Sequence, residues 1–143
     1  MTDATVTSSC LCGCVRIEAA LPVSHMGHCH CDNCRRAHGA GIWTWATFST
    51  DQVRVVEGAT ELSKYVSDTD ATRSFCRVCG STLLYESPRW PGKIDLSVAN
   101  IEGELGMSPS RHAYADRSPV WCPILDDLPQ LGGESGMEPL GDR

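Results

Sequence analysis

Nine cysteines are the residues of this chain best suited to do chemistry, and all but Cys122 are clustered. Cys10, Cys12 and Cys14 stand in Cys-Leu-Cys-Gly-Cys. Cys29, Cys31 and Cys34 stand in Cys-His-Cys-Asp-Asn-Cys. Cys76 and Cys79 stand in Cys-Arg-Val-Cys, followed by Gly80. Cytosolic thiols are kept reduced, and the count is odd, so metal binding or catalysis explains such clusters better than a disulfide framework does.

A C-x-x-C turn brings Cys76 and Cys79 onto one knuckle, with Gly80 easing the backbone where the turn closes. A structural zinc takes four ligands, so a second pair is required. Cys10 and Cys12 can supply it. Residues two apart in an extended segment share a face, and Gly13 follows Cys12 as Gly80 follows Cys79. Cys10, Cys12, Cys76 and Cys79 together make a closed four-thiolate structural zinc site, which would staple an N-terminal strand to a later hairpin.

In the middle cluster Cys29 and Cys31 share a face by the same rule, and Cys34 comes round on a first helical turn. Three protein ligands with an exchangeable fourth position describe a catalytic zinc. Cys14 or Cys122 could close this site and make it structural. His28 and His30 fall on the opposite strand face, and His38 lies one helical turn beyond Cys34 and could reach back. The spacing does not match ferredoxin iron–sulfur patterns. Three thiolates donate much charge to one ion, which suits it less to making hydroxide than to holding an incoming thiol as thiolate. Making or breaking a carbon–sulfur bond on a small thiol follows from that.

The elements that must position these residues read as short strands. Candidates are 15–21, 24–31, 42–49, 53–57, 61–67, 72–75, 81–85 and 94–98, separated by Gly, Pro and Asp turns, with one or two helical turns over 32–40 stopped by Gly39 and Gly41. Residues 1–9 read as a loose leader. The pattern predicts a mainly β fold, with a single zinc-binding domain over 1–131 and a mobile tail over 132–143. Trp43 and Trp45 share one strand face and are assigned to the core, and Trp121 is expected as a lid over it.

The chain has 143 residues and a formal net charge of −6, with no Lys/Arg block, which argues against a nucleic-acid-binding role. No apolar run is long enough to span a bilayer. Met1 to Ser9 lacks the pattern of a secretory leader, so the expected compartment is cytoplasmic. The sequence does not specify an oligomeric state.

These same motifs, Cys10-Leu-Cys-Gly13, Cys29-His-Cys-Asp-Asn-Cys-Arg-Arg36 and Phe75-Cys-Arg-Val-Cys-Gly-Ser81, with Arg111-His112 and Ser118-Pro-Val-Trp121, resemble the glutathione-dependent formaldehyde-activating enzymes and centromere protein V-like proteins. The resemblance runs over roughly residues 8–130. It implies a β-tent fold, a structural zinc at Cys10, Cys12, Cys76 and Cys79, and a catalytic zinc at Cys29, Cys31 and Cys34. It also implies a carbon–sulfur lyase that interconverts glutathione plus formaldehyde and S-hydroxymethylglutathione. Cys14 and Cys122 depart from the family pattern. Glutathione carries two carboxylates, so Arg35 and Arg36, directly after Cys34, are candidate substrate-binding cations. The competing reading is a zinc-stabilised binding module of the same fold without catalysis.

Overall fold

The computed structural model describes residues 4–141, and their secondary structure is mainly β with one short α-helix. The chain divides into two compact units, Met1–His25 with Ala46–Met107, and Met26–Trp45 with Ser108–Arg143.

In the first unit, β1 (Thr5–Ser9), β2 (Arg16–Ala20), β5 (Val53–Glu57) and β10 (Ile101–Glu102) form an antiparallel sheet in the order β10-β1-β2-β5. β6 (Leu62–Val66), β7 (Thr72–Cys76), β8 (Thr82–Glu86) and β9 (Lys93–Ser97) form antiparallel pairs in sequence order. β4 (Trp43–Ser49) is the neighbour of β9 in the strand order. Ile17, Phe48, Leu83 and Leu96 are fully buried and anchor this unit's core.

The leader expected over residues 1–9 is corrected by β1. Thr5–Ser9 pairs along its whole length with β2, from Thr5 opposite Ala20 to Ser9 opposite Arg16. Val6 and Ser8 are buried while Thr5, Thr7 and Ser9 stay more exposed. The strand buries one face only, and with only Val6 apolar the segment reads as polar chain. Residues 1–3 lie outside the described part.

Gly58, directly after β5, sits under a steric constraint. Its φ is +76°, and a Cβ there would sit 2.0 Å from the carbonyl oxygen of Cys14. Only glycine meets both conditions without displacing the backbone.

In the second unit, β3 (His25–Cys29) lies between β4 and β11 (His112–Ala113) in the strand order, and pairs with β11 in parallel, His112 opposite His28. Trp43 and Trp45 are both buried, with ring centroids 6.0 Å apart. The Trp45 indole occupies the room left by Gly27, where a Cβ would come within 2.6 Å of the ring. Trp121 corrects the expectation of a lid. It is 70% exposed, with a ring edge near Gly41. Residues 132–143, set apart in the sequence as a tail, carry over their described portion the antiparallel partner of β12 (Leu131–Gly132), namely β13 (Glu138–Pro139). Among the described residues no helix is long and apolar enough to cross a membrane.

Candidate metal centres

The first centre is built on two backbone knuckles, each closed by a glycine amide. Gly13 N donates to Cys10 O at 3.1 Å, and Gly80 N donates to Cys76 O at 2.7 Å. Gly13 and Gly80 have nearly the same left-handed φ, +81° and +83°. Each glycine follows a cysteine, and the next residue, Cys14 or Ser81, comes back against that cysteine's sulfur, at 3.2 and 3.3 Å. The Leu11 amide donates to Ser81 Oγ at 2.9 Å, joining the two knuckles directly. Leu11 and Val78 stand exposed on them.

The sulfurs of Cys10, Cys12, Cys76 and Cys79 lie within 4.8 Å of one another. Cys10 to Cys12 is 3.6 Å and Cys12 to Cys76 is 3.8 Å. A tetrahedron with zinc–sulfur bonds of about 2.3 Å has edges of about 3.8 Å. The four thiols therefore fit a tetrahedral ion of that bond length, and soft sulfur donors select zinc, copper(I) or iron–sulfur centres. Cys79 is already held down to about 5, first by the Ser81 hydroxyl and then by the Ser81 and Cys12 amides. Part of the anionic charge a metal requires is thus stabilised by the fold itself.

The second centre is local. β3 ends in Cys29, and the helix α1 (Asp32–His38) starts three residues later. Cys31 is the helix N-cap, with its Sγ accepting from Cys34 N at 3.3 Å. Asp32 in the first turn and Arg35, Arg36 and His38 in the last suit the helix dipole, and Gly39 caps the C-terminus. Cys29 and Cys34 are buried and Cys31 half-buried, and their three sulfurs lie within 4.8 Å of one another. Hydrogen bonds from Cys31 and Cys34, with burial, push the Cys29 thiol strongly up. Three converging sulfurs cannot all carry charge without a cation to balance them, which is the donor chemistry of a metal site.

Among the described residues, no fourth His, Cys, Asp or Glu donor joins this trio. Cys14 stands beside Cys12, with sulfurs 3.2 Å apart. Cys122 packs on Gly41. His38 stacks on Trp43, with ring centroids 4.9 Å apart and planes 10° apart. Arg35 is committed locally, its Nε donating to the His30 carbonyl at 3.0 Å and its other arm paired with Asp32. Arg36 is exposed.

The sequence reading set His28 and His30 aside on the far strand face and missed what they meet there. His30 Nε2 lies 2.7 Å from His112 Nδ1, and His112 Nε2 lies 2.9 Å from Asp126 Oδ1. His28 stacks on His112 and pairs with Thr44 Oγ1 at 2.7 Å. His30 and His112 are fully buried. Burial first, then the rings of His112 and His28, hold His30 down to about 4, so it is neutral near pH 7. The His112 hydrogen bond keeps the Asp126 carboxyl below its ordinary range. An ionised Asp126 accepts from His112 Nε2–H. The tautomers of the two rings set which of His30 Nε2 and His112 Nδ1 donates to the other. His112 lies 82 residues beyond His30, and only the two-residue strand β11 brings them together, so no local pattern announces the cluster.

The model of the family described as glutathione-dependent formaldehyde-activating enzyme matches residues 5–117, a span that contains both cysteine centres. An uncharacterised lyase of Schizosaccharomyces pombe is 32% identical over 80 residues, 54% of this chain, and the match spans about half, 54%, of that relative's own length. A crystal structure of a Rhodobacter sphaeroides protein, a structural genomics target, is similar with a TM-score of 0.59 and 32% identity, over 72% of this chain and 97% of the other.

Proposed function

This chain belongs to the glutathione-dependent formaldehyde-activating enzyme family, and from that premise we propose that it is a zinc-dependent carbon–sulfur lyase acting on a small thiol adduct. The reference reaction joins glutathione to formaldehyde, giving S-hydroxymethylglutathione. The observation that carries this reading is the convergence of Cys29, Cys31 and Cys34 as a trio rather than a quartet. The lyase name of the Schizosaccharomyces pombe relative is consistent with it.

We assign one zinc to each centre, structural at Cys10, Cys12, Cys76 and Cys79 and catalytic at the trio. Bound at the trio, zinc would hold a substrate thiol in its thiolate form. The protein's own part is to fix the three sulfurs. The strand end sets Cys29, the N-cap hydrogen bond orients Cys31, and the helix buries Cys34. In the forward direction the substrate sulfur bonds the aldehyde carbon and the carbonyl oxygen takes up a proton. The reverse direction breaks the same bond. Arg35 and Arg36 are the proposed cations for glutathione's carboxylates; Arg35 also bonds the His30 carbonyl and Asp32, and Arg36 is exposed. We place the activity in the cytoplasm, whose reducing environment suits nine free cysteines.

The test is cobalt substitution followed by titration with glutathione. A thiol entering the trio's coordination sphere shifts the visible absorption bands, and formaldehyde is then consumed in proportion to glutathione. Cys34→Ser loses both responses. Losing even an outer-shell partner of a metal costs about 10–100-fold, so losing a ligand should reduce turnover by more than about 100-fold. A cobalt spectrum indifferent to glutathione overturns the lyase reading and leaves a zinc-stabilised binding module.

A further inference from the structure

Neither cysteine centre uses Cys14, yet its placement beside one of them is specific. Its Sγ is 3.2 Å from Cys12 Sγ, about 0.6 Å inside the 3.8 Å edge of a zinc–thiolate tetrahedron. A tetrahedral ion with four sulfurs has no position for a fifth. Cys14 is therefore a thiol resting against a ligand. Cys12 is the exposed member of its centre, and Cys14 is half-buried. The Gly13 between them bends the backbone at φ +81°, with open space on its side-chain face. Cys79, half-buried like Cys14, also has its sulfur within 4.8 Å of Cys12, but it lies against the Ser81 hydroxyl at 3.3 Å and not against Cys12 at 3.2 Å as Cys14 does. Cys10 is buried and accepts from the Val15 amide at 3.3 Å, and Cys76 is fully buried.

We propose that Cys12 and Cys14 are a peroxide-sensitive thiol pair that closes to a disulfide and so withdraws one ligand from the four-cysteine centre. The Cys12 thiolate attacks one oxygen of hydrogen peroxide and becomes a sulfenic acid, and hydroxide leaves. The Cys14 sulfur then attacks the sulfenic sulfur. The S–S bond forms, the S–O bond breaks, and the Cys14 proton leaves with the oxygen as water. The pair of sulfurs has lost two electrons and the peroxide has gained them. Two Cα atoms separated by one bent residue lie near the disulfide range, but the small ring is strained, and strain makes the bond easy to reduce. A thiol reductant reopens it. This inference goes beyond the lyase reading, which concerns the other centre.

The test uses the full-length metal-loaded protein and hydrogen peroxide. Zinc release is followed with a chromogenic chelator, and the unreduced tryptic peptide Met1–Arg16 is fragmented in a mass spectrometer. The expected result is a Cys12–Cys14 bond that forms together with release of one zinc per chain, both reversed by a thiol reductant. Cys14→Ser and Cys14→Ala should hold the same zinc before oxidation and release it about tenfold more slowly, because the resolving thiol is gone. Wild-type release rates in both variants, or a bond mapped to Cys10, overturn the proposal. Peptide mapping of chelator-treated protein separates the two readings. Closure of Cys12 with Cys14 there supports the pair whatever metal the centre holds, and no closure in either form overturns it.

Discussion

His30 Nε2 and His112 Nδ1 are 2.7 Å apart, and both rings are fully buried. The pair fastens β11 to β3 beside the strand end that carries Cys29. Removing one partner leaves the other's polar atom buried without its hydrogen bond, at about 1–3 kcal/mol. His112→Ala should lower unfolding free energy by that amount or more, since it strands the fully buried His30 and also removes the buried His112 ring. Asp126→Asn should cost less, because that side chain is 46% exposed and water can replace it. Urea unfolding of the two variants checks the order, and equal losses would contradict it.

Cys76→Ser should remove one metal per chain and destabilise the protein by about 4 kcal/mol or more, the range reached when a structural metal is lost. Metal content and thermal unfolding with and without a chelator measure this. A variant with unchanged metal content would show that Cys76 holds nothing.

Asp95 gives a pH dependence of definite sign. Desolvation first pushes its carboxyl up to about 6, against a hydrogen bond from Thr47 Oγ1 at 2.6 Å that pulls the other way. The folded state thus holds the proton more tightly than the unfolded one. The stability this confers is complete below the unfolded pKa of about 3.8 and is lost as pH rises to about 6. Asp95→Asn keeps an acceptor for Thr47 and removes the titration. It should be more stable than wild type at pH 7, with a flatter profile between those limits. Thermal melts across pH 3.5–7.5 decide the matter, and an unchanged slope refutes the assignment.

Gly58→Ala tests the closest backbone approach near the first centre. Alanine at φ +76° with its Cβ 2.0 Å from the Cys14 carbonyl oxygen must displace one strand end or the other. A loss of about 2 kcal/mol or more is expected in denaturant unfolding. Wild-type stability would mean that the contact relaxes freely.

The sequence was most legible where chemistry is local. Spacing alone singled out both cysteine groups, because thiols two or three residues apart leave few arrangements open. The strands around β4 were readable because Trp43, Thr44, Trp45, Thr47 and Phe48 have the residue types a pleated surface packs best. β1 escaped notice because Val6 is its one apolar residue. β10 to β13 have two residues each and no periodicity to detect. The histidine cluster was hidden for a different reason. The rule that put His28 and His30 away from the cysteines was sound, but their partners come from a part of the chain that no spacing connects to them.

The two centres differ in how much chain must exist before they can form. Cys29, Cys31 and Cys34 span six consecutive residues, so a nascent chain can present them soon after they leave the ribosome. Cys12 and Cys76 are separated by 64 residues, and closing that loop costs about 2 kcal/mol more in chain entropy than closing five. An ion met during synthesis would therefore settle first on the trio, and the quartet would be filled last, as the step that ends assembly.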